Sequence, residues 1–457
     1  MHMSLNSKKI FKMTPAKYIL VSFLALILIG SFLLCLPISN VDGQWLSFVD
    51  ALFSSTTSVC VTGLMTIDIA SRLTLFGEIV VLFLIQLGGL GFVTVASLLY
   101  MMIGKKINYQ TRRTLQESLN TEDNAGILKM VKNIFIITAV CEFAGFLALA
   151  PSMVKFTGNF WSGCYKALFL AVSAFCNAGI DPLGTATADF SNIACFADNS
   201  AVLIPLMFLI VFGGIGFIVI VDVLSRLSKN KKVMLQTRVV LWVTAILIVF
   251  GASVFMFAEW NNPKTIGSLS TFDKITNCFF QSVTTRTAGF ASFSQSDMTQ
   301  ISKFVSGILM FIGGSSMSVA GGVKTTTFFI LLLMLVKNQD QNGNIIYRDK
   351  KITSKVLSKA VRIVLIAIFL LVIGVSLIYV FEGGKFSVAS IVYDVISAIC
   401  TVGLSFGITP SLCVASKITL ITLMYAGRVG MLTIPLAFKQ KETNAAIDYV
   451  NAKIMVG

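Results

Sequence analysis

The groups in this chain best suited to chemistry are backbone carbonyls. The stretch DALFSSTTSVCVTG (50–63) ends on Gly63 and has three relatives: KALFLAVSAFCNAG (166–179), TNCFFQSVTTRTAG (276–289) and SIVYDVISAICTVG (390–403). Each has an aromatic ten residues before its glycine (Phe53, Phe169, Phe279 or Tyr393) and a bulky apolar residue after it (Leu64, Ile180, Phe290 or Leu404). Glycine adopts φ > 0 without steric cost, so it lets a chain turn its carbonyls toward one point. Carbonyls gathered in that way can replace the hydration shell of a cation. The candidate filter is four return strands: Val59, Cys60, Val61, Thr62 and Gly63; Phe175, Cys176, Asn177, Ala178 and Gly179; Thr285, Arg286, Thr287, Ala288 and Gly289; Ile399, Cys400, Thr401, Val402 and Gly403.

Such strands need elements that carry them to membrane depth. Of 457 residues, 56% are hydrophobic and 12% charged, and apolar runs of about 20 residues recur, which is the pattern of a polytopic helical membrane protein. The four glycines are spaced by 116, 110 and 114 residues, so the chain reads as a fourfold repeat. In each repeat a long span comes first: 18–36, 130–151, 239–257 or 363–381. A short segment ending in the glycine follows, then a loop and a second span: 73–103, 201–226, 301–336 or 418–438. The short segment has room for roughly ten helical residues, about 15 Å, or half the hydrocarbon thickness. It must turn back, and non-helical backbone at that depth survives only if buried in protein or lining water. The expected fold is therefore all-α and polytopic: four repeats of span, re-entrant pore helix and span around a central pore. The C-terminal, partially negative ends of the four pore helices favour a cation on the axis.

The expected boundaries are a cytoplasmic N-terminus (1–17), repeats at 18–125, 126–235, 236–350 and 351–440, and a cytoplasmic tail (441–457). Orientation follows from the basic residues: 25 of the 36 Lys and Arg fall in the N-terminus, 105–132, 226–238, 337–362 and the C-terminal stretch from Lys439, which puts both termini inside. The net charge of +15 is thus a topology signal rather than a nucleic-acid footprint. His2 is the sole histidine, and no CxxC, nucleophile elbow or phosphate loop is evident, so an enzyme is not expected and neither is an organic cofactor. Nothing resembles a GxGxxG opening a βαβ unit, so a nucleotide-binding domain would belong to another chain.

Two further features bear on the pore. The second span of repeat three is interrupted by GGSSMSVAGG (313–322), where each internal glycine costs about 1 kcal/mol relative to alanine, so this break should face the pore. Arg428 lies in YAGRVGML, inside the last span. At about 8 Å from a passing cation and an effective permittivity of about 20, its repulsion is about 2 kcal/mol, a barrier of roughly thirtyfold and not a plug. Arg286 is expected to turn away from the axis and brace the filter, with Asp50 or Asp394 as candidate partners.

The endings VTGL, CNAG, RTAGF and TVGLS, together with IGGSSMSVAGGVKT (312–325), resemble the Trk/Ktr/HKT superfamily of potassium transporters, and within it the KtrB-type membrane subunit. The resemblance covers nearly the whole chain. It implies that Gly63, Gly179, Gly289 and Gly403 line a potassium site, and that Gly63, where some plant members carry a sodium-associated serine, marks potassium preference. It also implies an intramembrane gate, with Gly313, Gly314, Ser315, Ser316, Gly321, Gly322, Lys324 and Arg428 as candidates. A homodimer in a bacterial plasma membrane and a cytosolic nucleotide-binding regulatory subunit of KtrA type are implied as well, with sodium open as an activator. The alternative is an ion-coupled symporter with alternating access, although four like-oriented repeats suit one central pore better than two inverted halves.

Overall fold

The computed structural model describes residues 14–102, 114–116, 127–184, 190–229, 233–431 and 433. The tail at 441–457 and residues 1–13, on which the placement of the termini rests, lie outside the described residues. Each repeat opens with a long outer helix: Pro15–Cys35, Ile127–Thr157, Leu235–Glu259 and Ser354–Phe381. All four are long and apolar enough to cross a membrane. One face of the first packs inward through Ile27, Gly30 and Leu34, while Ile29 and Phe32 point outward, as lipid exposure allows. Pro151 does not end its span: the helix continues to Thr157.

The pore helices follow: Phe48–Cys60, Phe160–Phe175, Thr271–Thr284 and Val388–Cys400. Their starts are written in the sequence as capping residues. Asn159 accepts from the Trp161 and Ser162 amides, Ser270 from Asp273 and Ser387 from Ser390, which satisfies N–H groups that a helix start leaves open. The hydroxyl-rich first pore helix survives burial because its side chains bond carbonyls: Ser55 to Ile27 O, Thr56 to Leu52 O and Ser58 to Ser54 O, each at 2.7 Å.

The inner helices differ from expectation. A break was expected in repeat three alone, yet every inner helix is interrupted. Leu75–Leu90 gives way to Phe92–Met102 at Gly91 (φ 82°), and Ser200–Ile215 to Phe217–Lys229 at Gly216 (φ 99°) with a 95° bend. Val414–Val429 stops at Gly430 (φ 102°), and Gln300–Phe311 and Thr325–Val336 flank the long break of repeat three. The cause is a recurrent glycine one turn earlier. A Cβ at Gly88, Gly213 or Gly427 would overlap the carbonyl oxygen of Val59, Phe175 or Ile399, at the C-terminal end of the neighbouring pore helix. The inner helices thus approach the pore helices backbone to backbone before turning away. A short hairpin, Ile345–Tyr347 with Lys350–Ile352, joins repeats three and four.

The repeats close into a ring, each joined to the next by a polar contact. Gln86 donates to Glu142 (3.3 Å), Ser200 to Asp273 (2.8 Å) and Tyr393 to the Gln295 side chain (3.1 Å). Between repeats four and one, Lys417 pairs with Asp50 at 2.8 Å and Tyr425 donates to Leu20 O at 2.7 Å.

If backbone approach is what Gly427 provides, Gly427→Ala should destabilise by about 1–3 kcal/mol through overpacking. Gly307→Ala, where an added Cβ meets only Ile396 Cδ1 at 3.8 Å, should be neutral or slightly stabilising. Thermal melts of the detergent-purified chain compare them, and equal melting temperatures would refute the close-approach account.

Candidate functional site

Each pore helix ends in the same way. The residue two before the glycine is left-handed in all four repeats: Val61 (φ 55°), Asn177 (58°), Thr287 (68°) and Thr401 (50°). Positive φ is uncommon outside glycine, and rarer still for β-branched residues. It is enforced here by a tight C-terminal turn. The Thr62, Ala178 and Val402 amides each donate at 2.8 Å to a carbonyl five residues back, Thr57, Ser173 or Ser397, while Ala288 N donates to Thr284 O at 2.9 Å. Hydroxyls finish the turn. Thr57 Oγ1 accepts from Gly63 N and Ser397 Oγ from Gly403 N, both at 2.9 Å, and Ser173 Oγ accepts from Ile180 N at 3.1 Å. Val283 stands at the matching place in repeat three, and there Thr284 Oγ1 instead donates to Phe290 O (2.7 Å).

The returns are shorter than five residues. Val59, Cys60, Phe175, Ile399 and Cys400 belong to the last turns of the pore helices, and Cys176 and Thr285 are right-handed caps. The turn begins only at the left-handed residue, because the helix must spend its last bonds before the chain reverses. What comes together is the pair at the end of each strand. An added Cβ on Gly63 would lie within 2.5 Å of Ala178 O, on Gly179 of Ala288 O, on Gly289 of Val402 O and on Gly403 of Thr62 O. Each glycine therefore abuts the carbonyl of the next repeat in cyclic order, and the ring closes. All four glycines have positive φ (98°, 64°, 82° and 101°), and each lies against a backbone oxygen of the next repeat. Asn192, in the loop that returns from repeat two, braces the ring: it donates to Gly179 O (3.1 Å) and accepts from Ala291 N (3.2 Å).

Beneath the ring lies the break of repeat three. Gly313 N donates to Val323 O and Val323 N to Phe311 O, pinching the two ends of the loop together. Ser315 N and Val319 N bond Gly214 O and Gly213 O, and Phe217 N bonds Met317 O, so the loop rests on the broken inner helix of repeat two. Ser316 shares a hydrogen bond with Thr326 at 2.9 Å, and Gly321 packs so tightly under filter strand four that a Cβ there would overlap Thr401 Oγ1. Gly314 is held against Gly214 O, and Gly322 takes φ 68°.

Three cationic side chains hold this loop. Arg286 is buried, and its partner is Gly313 O (2.9 Å). Neither Asp50 nor Asp394 receives it: Asp50 pairs with Lys417, and Asp394 accepts from Ser405, Phe406 N and Thr409. A basic group one repeat away reaches Asp50 first, and Asp394 is saturated by its own loop. Arg428 donates to Val319 O in the loop and to Gly88 O and Gly89 O (3.0 Å) in repeat one. Lys324 turns back onto Ala320 O at 2.6 Å. Sequence reasoning missed the hydroxyl six residues before three of the four glycines and the Gly-Gly pairs 88–89 and 213–214. Both are visible once the repeats are aligned.

Four repeats of outer span, short re-entrant helix and broken inner span, closed on one another by glycine–carbonyl contacts, are the fold of a polytopic membrane transporter of cations. Residues 4–448 match the family model described as TrkH, cation transport protein, and the chain belongs to that family. It is 35% identical to the Ktr system potassium uptake protein B of Bacillus subtilis over the full length of both chains. The potassium/sodium uptake protein NtpJ of Enterococcus hirae is likewise 35% identical over both full lengths. Among solved structures, the potassium transporter TrkH from Vibrio parahaemolyticus shares the fold, with a TM-score of 0.68 at 17% identity over 95% of this chain and 87% of that one.

A side chain at Gly63 would have to displace Ala178 O and hold φ 98°. Gly63→Ser should therefore keep the chain folded and flux measurable while reducing discrimination between potassium and sodium by about tenfold or more. Competition assays in proteoliposomes measure this, and unchanged discrimination would remove Gly63 from the site.

Proposed function

We propose that this chain is the membrane subunit of a Ktr-type system that takes up potassium across a bacterial plasma membrane, with the carbonyl ring as its selectivity filter and residues 313–322 as its gate. The observation that carries this reading is the cyclic contact between each glycine and the next repeat's carbonyl. The fit is to a monovalent cation of low dehydration cost, because neutral carbonyls replace water without trapping the ion. A divalent ion would call for carboxylates. The name of the Bacillus relative supports potassium.

The basic loops orient the filter mouth outward and the gate inward. The gate reading rests on the loop lying directly under the ring and on two arginines and a lysine attached to it. In this reading Arg428 does two things: it adds a positive potential beside the path and clamps the loop to repeat one. A homodimer and a cytosolic KtrA-type regulatory subunit complete the proposed system. The Enterococcus relative's name, potassium/sodium uptake, favours keeping a second reading, an ion-coupled symporter in which sodium or a proton accompanies the cation.

The chain should restore growth of a potassium-uptake-deficient bacterium at low potassium, and failure of a well-expressed chain to do so would overturn the potassium reading. Rubidium uptake that saturates with neither sodium nor a proton gradient present excludes the coupled reading. Removing Ser315–Ser318 should raise flux and weaken regulation by the cytosolic subunit, and Arg428→Gln should raise flux by up to roughly thirtyfold. Both should retain more potassium selectivity than Gly63→Ser, which acts on the ring itself. Wild-type flux in both folded variants would refute the gate assignment and leave the filter untouched.

A further inference from the structure

The four repeats match closely at the filter except at one position. Three residues before the glycine stand Cys60, Cys176 and Cys400, all buried thiols, but in repeat three the residue is Arg286. A buried thiol packs as a small hydrophobe, whereas a buried guanidinium must find acceptors. Repeat three is also the one whose inner helix is broken by a thirteen-residue segment (312–324), where repeats one and two break at a single glycine. The two exceptions meet. Arg286 Nη2 donates to Gly313 O, where the loop leaves the inner helix, and makes no ion pair among the described residues. Its neighbour Thr287 accepts, at Oγ1, the Gly321 amide (3.1 Å), where the loop returns.

One dipeptide of filter strand three therefore grips both ends of the loop. Those ends are also pinned to one another through Gly313 N–Val323 O, so the neck of the loop and the strand form one hydrogen-bonded unit. Thr287 is the left-handed residue of its strand (φ 68°), a conformation that a β-branched side chain keeps only while its surroundings enforce it. The loop supplies part of that enforcement. At the matching place in repeat four, the Thr401 hydroxyl has no hydrogen-bond partner.

We propose that Arg286 and Thr287 are positioning residues that couple gate to filter: with the loop seated they hold strand three in its selective conformation, and release of the loop loosens that strand. The inference rests on the gate reading above. It makes gating and selectivity two readouts of one set of bonds, so a gate-open transporter should discriminate less well than a closed one that leaks.

The test is a double-mutant cycle on the full chain in proteoliposomes, reading rubidium flux and potassium-over-sodium preference. Thr287→Val keeps the β-branched shape and removes the acceptor. It should raise flux and lower preference, each by roughly fivefold, the scale of one hydrogen bond, whereas Thr287→Ser should behave as wild type. In a chain lacking Ser315–Ser318, Thr287→Val should add nothing further to either readout. Arg286→Gln should follow the same pattern, and Thr287→Val decides the matter if that variant does not fold. An equal effect of Thr287→Val in both backgrounds would show that its side chain acts on the strand alone and would overturn the coupling while leaving the gate. A serine variant that behaves like valine would overturn it too. Wild-type flux in the loop-shortened chain would bring down gate and coupling together.

Discussion

The structure depends on one constraint: backbone that leaves the helix at membrane depth must find its hydrogen bonds inside the protein. Four pore helices stop halfway, and each stop exposes amides and carbonyls that lipid cannot satisfy. The left-handed residue at the end of each pore helix is the local answer, since it lets the next amide reach back to the last turn. The serine or threonine six residues before the glycine takes the following amide or the one after it. With those amides bonded backward, the carbonyls of Thr62, Ala178, Ala288 and Val402 lie against the glycines of the neighbouring repeats. In the proposed reading a cation site follows from satisfying everything around it, and needs no charged ligand.

The same constraint decides what could be read from the sequence. The glycines were legible because φ > 0 at a crowded ring leaves few residue types, and their spacing revealed the repeats. The left-handed residue two places earlier was not, because Val61, Asn177, Thr287 and Thr401 share no side-chain chemistry: tertiary bonds impose their conformation. Helix continuation through Val59, Cys60, Ile399 and Cys400 was hidden for a related reason, since β-branched residues near a glycine resemble an extended strand. The inner-helix breaks at Gly91, Gly216 and Gly430 escaped because a single glycine in an apolar run looks like a packing residue. Only the long polar run at 313–322 announced itself. The acceptor of Arg286 is a carbonyl, and carbonyls are invisible in a search for acidic partners.

Magnitudes separate the two arginines. A central arginine costs about 2.5–3.5 kcal/mol on insertion scales, and a hydrogen bond to a charged group returns about 1.5–3 kcal/mol. Arg428 donates to three carbonyls and is amply compensated, so it suits a permanent strap between repeats one and four and the loop. Arg286 donates to one, which leaves its balance near zero. A bond of that kind can be exchanged at little cost, as a moving part requires.

Asymmetry among the repeats has a geometric reason. In the proposed reading the ring needs all four members, because a missing carbonyl would leave the ion underhydrated on one side. An obstruction needs one, since four loops entering from four sides would collide on the axis. The chain accordingly keeps the glycine and its preceding carbonyl in every repeat but lengthens the inner-helix break in repeat three alone. Repeat two supplies the shelf at Gly213 and Gly214, repeat four the arginine strap, and repeat one the carbonyls that anchor the strap. Each repeat therefore touches the loop directly or through Arg428, so a movement of any one of them is felt at a single point beneath the filter. A pore built from one chain can specialise its quarters in this way, whereas a ring of four identical subunits would have to place the same loop in every quarter.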